Sequence, residues 1–449
     1  MTITKDKNTP STFKHQPIRY ELEVVKYLES KYKFLCRKNT RDLYVWDDGV
    51  FVNYEVSIED IIVNVIETKF LEVGFSSGTI RNIIRILKAH HPQRWDESTE
   101  GINIKGGHIF KHLGKWVYES HNIDHDKFDD WIPPTYFTQL PFDYDDDAEC
   151  LVFDQMITDL VGFENTSLIY KMLAYFFMPH VKFQKSFLLY GPSGTGKTTF
   201  IDTLSKLLSD ALIGQERLHN LSSRWSLGFI KDCWVNIWDD LDEHSVRRTD
   251  IFRMIVTNNN LSCELKRIRF KFSFKNRIKL LFTCNKLPIL PKNIGDEFFR
   301  RWVIVPCYDE VKDKDPFLLD KIDNKELSGI FNKILYYYDV LLEEGFGAKW
   351  DNIEEIRDLW MMDINPVSSF VKSKCVIDPK EQVDYNLFFK EMNKYRVDNK
   401  AKPISKTMCT KELGLLGISK SSNRKYYKGI KLCTDNTNID ENYLDLYME

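Results

Sequence analysis

Residues with the chemistry of nucleotide binding come directly after an apolar run. The run SFLLY, 186–190, leads into GPSGTGKTT, 191–199, and a helical pattern follows from 200 to 208. Glycines let successive backbone N–H groups turn toward phosphate oxygens, a lysine reaches the β- and γ-phosphates, and a hydroxyl binds Mg²⁺. This order predicts a P-loop that binds ATP and Mg²⁺. The residues predicted to contact the nucleotide are Gly191, Pro192, Ser193, Gly194, Thr195, Gly196, Lys197, Thr198 and Thr199.

Two carboxylates directly follow the next apolar segment that has the pattern of a buried strand. An ATP-hydrolysing site needs one carboxylate for Mg²⁺ and usually a second that polarises the attacking water. The segment CWVNIWDDLDE has a mostly apolar strand, 233–238, that ends in Asp239 and Asp240. We assign Asp239 to Mg²⁺, together with Thr198, and Asp240 to the water. Asp242 and Glu243 are weaker candidates.

A polar amide and two arginines complete the candidate catalytic set. A third strand pattern, RIKLLFTCN, ends in Asn285, which could orient water or sense the γ-phosphate. The segment DEFFRRWVIVP then places Arg300 and Arg301 between apolar runs. Arginine on a rigid element can stabilise transition-state charge, often from a neighbouring subunit. Taken alone, an arginine pair beside a strand is more often a surface feature.

The segment ELKRIRFKFSFKNRIK, 264–279, concentrates positive charge in a chain whose net charge is only -3. Apolar and basic residues alternate along part of it, which predicts a strand with one basic face. It could be an edge strand that uses charge to resist aggregation. Alternatively, 263–265 and 270–274 pair as a hairpin whose bases track phosphates. The residues predicted to contact single-stranded DNA there are Lys266, Arg267, Arg269 and Lys271.

Composition bounds the class of protein. At roughly 150 residues per domain, 449 residues indicate two to four domains, and 43% hydrophobic residues suffice for packed cores. The apolar runs are far shorter than the roughly 20 residues of a membrane span, and the first residues lack an apolar signal core. We therefore expect a cytoplasmic protein without a membrane partner. Nine cysteines lack CxxC spacing, so neither a zinc site nor a disulfide framework is indicated.

Changes in pattern along the chain predict seven segments. Aspartates between 143 and 147 precede a helical pattern; they could bind a metal, but helix capping and solvation are commoner roles. The segments are a flexible leader, 1–18; an α/β domain, 19–130; a connector and helix, 131–180; the ATPase core, 181–310; a helical region, 311–362; a basic α/β module, 363–433; and an acidic tail, 434–449.

The motifs GPSGTGKT, WDD, the basic segment, TCNKLP and FFRRW occur in an order that resembles superfamily-3 helicases. The resemblance is specifically to the helicase part of phage, plasmid and poxvirus-type primase-helicases, and it covers about residues 95 to 433. It implies an α/β fold with an AAA+-like P-loop ATPase core. It also implies a ring, expected to be a homo-hexamer, with ATP between subunits and DNA in a central channel.

The same resemblance assigns roles to the matched positions. It implies that Lys197 and Thr198 form Walker A, that Asp239 and Asp240 form Walker B, and that Asn285 is sensor 1. It implies that Arg300 or Arg301 is the arginine finger, the residue that stabilises transition-state charge on a neighbouring subunit's nucleotide. Arg301 fits the family pattern better. It also implies that the basic hairpin enters the channel, with Lys266 leading the contact. Two departures stand out: Asn236 interrupts the apolar strand, and Asp240 replaces the glutamate that many relatives carry.

The C-terminal segment predicts a second DNA contact. A capped helix from about 405 to 416, then Gly417 and a hairpin, is the pattern expected of a winged helix. The same basic face could also be solvated without contacting DNA. The residues predicted to contact DNA are Lys406, Lys411, Arg424, Lys425 and Lys428.

Three functions fit these observations. The first is an ATP-driven, ring-forming DNA helicase that serves replication of a virus, plasmid or other mobile element and moves 3′ to 5′. The second is a DNA-bound initiator or loader ATPase without processive unwinding, and the third is a regulatory P-loop protein. The first 130 residues contain no paired-carboxylate motif of a primase, so we expect a separate primase or polymerase as a partner.

Overall fold

The computed structural model defines secondary structure along most of the chain. None of the described helices is long and apolar enough to cross a membrane. The structure describes residues 16–37, 42–53, 55–70, 76–91, 93–94, 101–121, 136–223, 225–242, 249–257, 259–264, 272–290, 294–307, 309–311, 314–364, 367–398, 403–422 and 425–433.

Helices and strands alternate along these residues, as expected for a mixed α/β fold. The helices are α1 Gln16–Lys31, α2 Glu55–Lys69, α3 Ser77–His90, α4 Leu151–Val161, α5 Thr166–Phe177, α6 Lys197–Leu208, α7 Ser226–Ile230, α8 Asp250–Thr257, α9 Asp296–Phe299, α10 Leu318–Lys321, α11 Asn324–Glu344, α12 Ile353–Ile364, α13 Ser368–Lys374, α14 Tyr385–Asp398 and α15 Lys406–Leu415. The strands are β1 Phe34–Arg37, β2 Leu43–Asp47, β3 Val50–Val52, β4 Gln93–Arg94, β5 Gly101–Lys105, β6 Gly107–His112, β7 Lys115–Ser120, β8 Leu140–Asp143, β9 Ser186–Tyr190, β10 Ile213–Gly214, β11 Val235–Trp238, β12 Asn260–Cys263, β13 Phe272–Lys275, β14 Lys279–Cys284, β15 Trp302–Pro306, β16 Cys375–Asp384, β17 Ser419–Lys420 and β18 Tyr426–Leu432.

The chain divides into two compact units. The first comprises Met1–Phe153, Asp202–Ile213 and Phe317–Tyr336, and the second comprises Asp154–Ile201, Gly214–Pro316 and Tyr337–Glu449. In the first unit, two four-stranded sheets have the orders β3-β2-β1-β4 and β7-β6-β5-β8. Helices α1, α2 and α3 share one apolar core with β1 and β2. The N-terminal region is therefore mixed α/β.

The second unit contains a five-stranded sheet with the order β10-β11-β14-β9-β15. Strand β14 pairs in parallel with β11 and β9, and β9 pairs in parallel with β15. Every residue of β14 is buried, because a parallel sheet covered on both faces needs continuous apolar strands. Trp302 and Phe252 stack at 4.8 Å between ring centroids beside this sheet. The predicted strands at 186–190, 233–238 and 277–285 correspond to β9, β11 and β14.

Asn236 is accommodated in the centre of β11. Its side chain has 0% exposure, so its amide needs partners within the protein. Asn236 Oδ1 accepts a hydrogen bond from Glu216 N at 2.8 Å, and Nδ2 donates to Glu216 O at 2.8 Å. The polar residue that interrupts the apolar strand pattern therefore anchors the neighbouring segment, and β11 remains fully buried at this position.

The C-terminal module begins with α13 and continues as β16, α14, α15, β17 and β18. Its three strands form an antiparallel sheet with the order β16-β18-β17. Ser405 caps α15 by accepting a hydrogen bond from Met408 N at 3.2 Å, close to the predicted helix start. Phe388, Met392 and Tyr427 belong to its apolar core. The predicted helix and hairpin of this segment are thus present.

Candidate functional site

The candidate site lies where β9, β11 and β14 end. These strands are neighbours in the sheet and parallel, so the segments that follow them meet at one edge. In open α/β sheets, ligands bind at such carboxyl ends, where consecutive connections leave in opposite directions. The carboxyl end of β9 fits this description. After β9 the chain forms β10, β11 and β14 on one side of that strand, and it then crosses to the other side to form β15.

Glycines shape the loop that follows β9. A Cβ on Gly191 would lie 1.8 Å from Cys307 O, so any side chain would collide with backbone. Gly194 and Gly196 have φ of 83° and 97°, which residues with a Cβ rarely adopt. Helix α6 starts directly afterwards at Lys197. The loop therefore leads into a helix N-terminus, where free N–H groups and the helix dipole favour an anion.

Lys197 bends back over this loop. Its Nζ donates to Gly191 O at 2.8 Å, to Pro192 O at 2.7 Å and to Asn285 Oδ1 at 3.3 Å. Its side chain is only 7% exposed, and burial lowers the pKa of the ammonium group below its usual value. The residue thus holds a largely desolvated cation between the glycine loop and the end of β14.

Thr198 and Asp239 place two oxygen atoms beside the start of α6. Thr198 Oγ1 donates to Asp239 Oδ2 at 2.8 Å. Thr283, which is buried in β14, donates from Oγ1 to Asp239 Oδ1 and so orients the carboxylate. A hydroxyl and a carboxylate are hard oxygen ligands of the kind that Mg²⁺ prefers. These residues therefore fit the predicted metal ligands.

Asn285 joins Asp240 to Lys197, because its Oδ1 accepts from Lys197 Nζ and its Nδ2 donates to Asp240. Asn285 Nδ2 donates to Asp240 Oδ1 at 3.3 Å, and Asp240 N donates to Thr283 Oγ1 at 2.8 Å. Asp240 has φ of 56°, a left-handed conformation that Asp adopts more readily than most residues. The turn separates its side chain from that of Asp239. Asp242 is exposed two residues further on, and Glu243 lies outside the described residues.

The two arginines lie at the opposite edge of the sheet. Trp302 at the start of β15 pairs with Ser186 at the start of β9, whereas the glycine loop follows the end of β9. Five residues of strand separate the two edges by about 17 Å. Neither Arg300 nor Arg301 therefore belongs to the cluster formed by this chain's own Lys197.

The two arginines differ in exposure. Arg301 is 6% exposed, its Nη1 donates to Glu297 O at 3.0 Å, and burial lowers the pKa of its guanidinium. Arg300 is exposed. Arg301 is therefore largely enclosed by its own chain, whereas Arg300 is accessible from outside it.

The strands that flank the predicted DNA hairpin are present. β12 and β13 pair antiparallel, with Cys263 opposite Phe272, so the intervening residues form the connection. β12 and β13 overlap the predicted strands 263–265 and 270–274 at Cys263 and at 272–274, and β12 also extends back to Asn260. The predicted contact residues Lys266, Arg267, Arg269 and Lys271 lie outside the described residues.

The basic residues of the C-terminal module occupy different settings. Lys411, Lys425 and Lys428 are exposed. Lys406 is also exposed, but its Nζ donates to Asn386 Oδ1 at 2.9 Å and lies 5.3 Å from the ring centroid of Tyr385. Its position is therefore fixed by its own module. The fifth predicted contact, Arg424, lies outside the described residues.

Asp145, Asp146 and Asp147 have carboxylate oxygens within 4.8 Å of one another and are all exposed. Asp145 Oδ1 accepts a hydrogen bond from Asp147 N at 3.1 Å. Backbone hydrogen bonds to Ser328 and Asn332 fix this turn ahead of α4. Nothing in these contacts distinguishes the group from a solvated acidic turn.

Two residues of the site were not predicted from the sequence. Thr283 contacts both Asp239 and Asp240, and its only signal is a hydroxyl within the mostly apolar strand β14. Asp363, on α12, accepts a hydrogen bond from Tyr190 Oη at 2.6 Å. It is far away in the sequence and carries no motif.

Comparison with known proteins identifies one family model. The model, described as "Family of unknown function (DUF5906)", matches residues 189–301, about a quarter of the chain. This range runs from the end of β9 through the glycine loop and the strand-end polar residues to Arg301. No curated protein matches the chain.

Solved structures of the NrS-1 C-terminal region resemble the chain at 11% identity. "The apo structure of NrS-1 C terminal region (305-718)" covers 92% of this chain and 99% of that chain, with a TM-score of 0.44. "The A form apo structure of NrS-1 C terminal region-CTR(305-718)" covers 92% and 100%, with a TM-score of 0.46. At TM-scores below 0.5 these likenesses carry no conclusion about function.

Proposed function

We propose that this chain is an ATP-hydrolysing DNA helicase of the superfamily-3 type, with an AAA+-like P-loop core, that serves replication of a mobile element. The observation that carries the proposal is the convergence of Lys197, Thr198, Asp239, Asp240 and Asn285 at the ends of three adjacent parallel strands. Their types and positions suit phosphoryl transfer to water, in which positioning and electrostatic stabilisation supply most of the catalysis.

Each residue has a distinct task in this mechanism. Lys197 exchanges its loop carbonyl partners for phosphate oxygens, while the N–H groups at the start of α6 bind the same phosphates. Thr198 and Asp239 hold Mg²⁺, which supplies positive charge against the phosphate oxygens. Asp240 polarises the attacking water, and Asn285 orients that water or senses the γ-phosphate. Thr283 holds the carboxylate of Asp239 and the backbone N–H of Asp240 in place.

The position of the arginines supports hydrolysis at a subunit interface. Arg300 is exposed and lies at the sheet edge opposite the glycine loop, which supports a role on a nucleotide held by another copy of the chain rather than on its own. Such a heterologous contact generates a ring when the rotation closes. We propose a homo-hexamer in which Arg300 stabilises transition-state charge on the neighbour's ATP.

Two basic regions support DNA as the partner. The β12–β13 hairpin would insert its basic connection into the channel and follow the single-stranded backbone. The C-terminal module has a helix followed by a hairpin, an order that would suit a winged helix, with Lys411 on α15 and Lys425 and Lys428 at the hairpin. In that arrangement a helix faces a groove and the hairpin contacts backbone phosphate.

A DNA-bound initiator or loader ATPase is the second candidate, because it would use the same nucleotide site and basic regions without unwinding. A regulatory P-loop protein is the third. It predicts hydrolysis that does not respond to DNA, whereas the helicase and the initiator both predict stimulation.

Steady-state ATP hydrolysis with and without single-stranded DNA tests the proposal. The unsubstituted chain should hydrolyse ATP faster with DNA, and Lys197→Ala should lower kcat at least about 100-fold because an electrostatic group aimed at the reacting phosphates is lost. Lys182→Ala, which removes an exposed lysine, is the matched control and should keep full activity. Hydrolysis that persists in Lys197→Ala would contradict the assignment of the site.

A further inference from the structure

Asp363 holds two segments of the nucleotide site with a single carboxylate. Its Oδ1 accepts a hydrogen bond from Tyr190 Oη at 2.6 Å, and its Oδ2 accepts one from Leu287 N at 2.5 Å. Tyr190 directly precedes Gly191, and Leu287 is two residues after Asn285. Because hydrogen bonds to an ionised acceptor are stronger than neutral ones, this carboxylate fixes the glycine loop relative to the Asn285 segment.

We propose that Asp363 is a positioning residue of the nucleotide site, which holds the glycine loop through Tyr190 and the segment after Asn285 through Leu287. The inference rests on the proposed ATPase function, which it deepens. Asp363 thereby aligns the segment that binds the phosphates with the segment whose Asn285 orients the water.

The positioning role of Asp363 has a kinetic signature that a purely structural contact lacks. Loss of positioning lowers kcat more than it raises KM, because the reacting groups are misaligned while phosphate contacts persist. Removing both partners of one contact should lower kcat no more than removing one of them, since the effects of substitutions within one network are not additive. Tyr190 and Asp363 can be tested in this way with single-atom changes.

The experiment measures kcat and KM for ATP, with and without DNA, in Tyr190→Phe, Asp363→Asn and the double variant. Each should lower the DNA-stimulated kcat by about 10-fold with KM changed by less than about threefold, and the double variant should match the Asp363→Asn variant. Asp358→Asn makes the same chemical change at an exposed position of α12 and should behave as the unsubstituted chain.

The outcomes separate this inference from the function on which it rests. If the unsubstituted chain hydrolyses ATP and Asp363→Asn behaves as Asp358→Asn, the positioning role is overturned while the ATPase stands. Multiplicative effects of Tyr190→Phe and Asp363→Asn would also overturn it. Absence of hydrolysis in the unsubstituted chain overturns both proposals. Tyr190→Phe removes one hydroxyl only, so it remains informative if the Asp363 variant fails to fold.

Discussion

Gly191 is the residue at which packing constrains the glycine loop most directly. Since a Cβ there would lie 1.8 Å from Cys307 O, Gly191→Ala must displace backbone. We expect a loss of about 2 kcal/mol or more in the free energy of unfolding, together with weaker nucleotide binding. Urea denaturation and nucleotide titration measure the two effects.

Gly414 provides the matched control for that substitution. It lies in α15, is exposed, and a Cβ there would meet no heavy atom within 4 Å. Gly414→Ala should therefore be neutral or stabilise the fold by up to about 1 kcal/mol, because alanine favours the helix. Equal behaviour of the two variants would mean that Gly191 is not constrained by Cys307.

At the residue scale, the sequence predicted the groups whose chemistry is tied to a local motif. Lys197 meets Asn285 and Thr198 meets Asp239, because strand ends bring these residues together. Thr283 and Asp363 could not be predicted in the same way. Their roles depend on which strand lies beside β11 and on where α12 packs, and both are long-range contacts. The burial that separates Arg300 from Arg301 is likewise a property of tertiary packing.

Asn236 shows how a single polar residue stabilises an element. Asn236→Ala would leave the N–H and C=O of Glu216 without their partners in a part-buried setting. We expect a loss of about 2 kcal/mol in unfolding free energy, the typical cost of unsatisfied buried groups. Urea denaturation checks this prediction. Asn260→Ala changes an exposed strand residue and should shift stability by less than about 0.5 kcal/mol.

The β12–β13 hairpin predicts a dependence on salt. If Lys266 and Arg267 contact single-stranded backbone, replacing both with alanine should lower DNA affinity and reduce the slope of log K against log salt by about 1.4. Fluorescence anisotropy across a salt series measures this slope. The control variant Lys182→Ala/Lys325→Ala removes two exposed lysines elsewhere. The same slope in both double variants would mean that the basic segment is surface charge that does not contact DNA.

Strands were easier to predict than their arrangement. Continuous apolar runs placed β9, β11 and β14 within a few residues, because buried parallel strands read as such runs. The order β10-β11-β14-β9-β15 depends on pairings between distant segments, which local periodicity does not encode. The basic alternation near 264–279 indicated one long strand or a hairpin, and only the pairing of Cys263 with Phe272 selects the hairpin.

At the scale of the whole molecule, the proposed ring requires residues of two subunits at each ATP site. Arg300→Ala and Asp240→Asn should each inactivate ATP hydrolysis when present alone. Mixed in equal amounts, they should regain activity, because about a quarter of the interfaces in a random ring would combine an intact Asp240 with a neighbour's intact Arg300. Hydrolysis assays after subunit exchange check this. Complementation by Arg301→Ala but not by Arg300→Ala would reverse the choice of finger.

Strand displacement on a forked duplex tests the central claim most directly. With ATP, the chain should release the duplex strand from a fork bearing a 3′ single-stranded tail, and it should fail on a 5′ tail or when Lys197 is replaced by alanine. DNA-stimulated ATP hydrolysis without displacement on either fork would contradict the helicase and leave the initiator or loader ATPase as the function of this site.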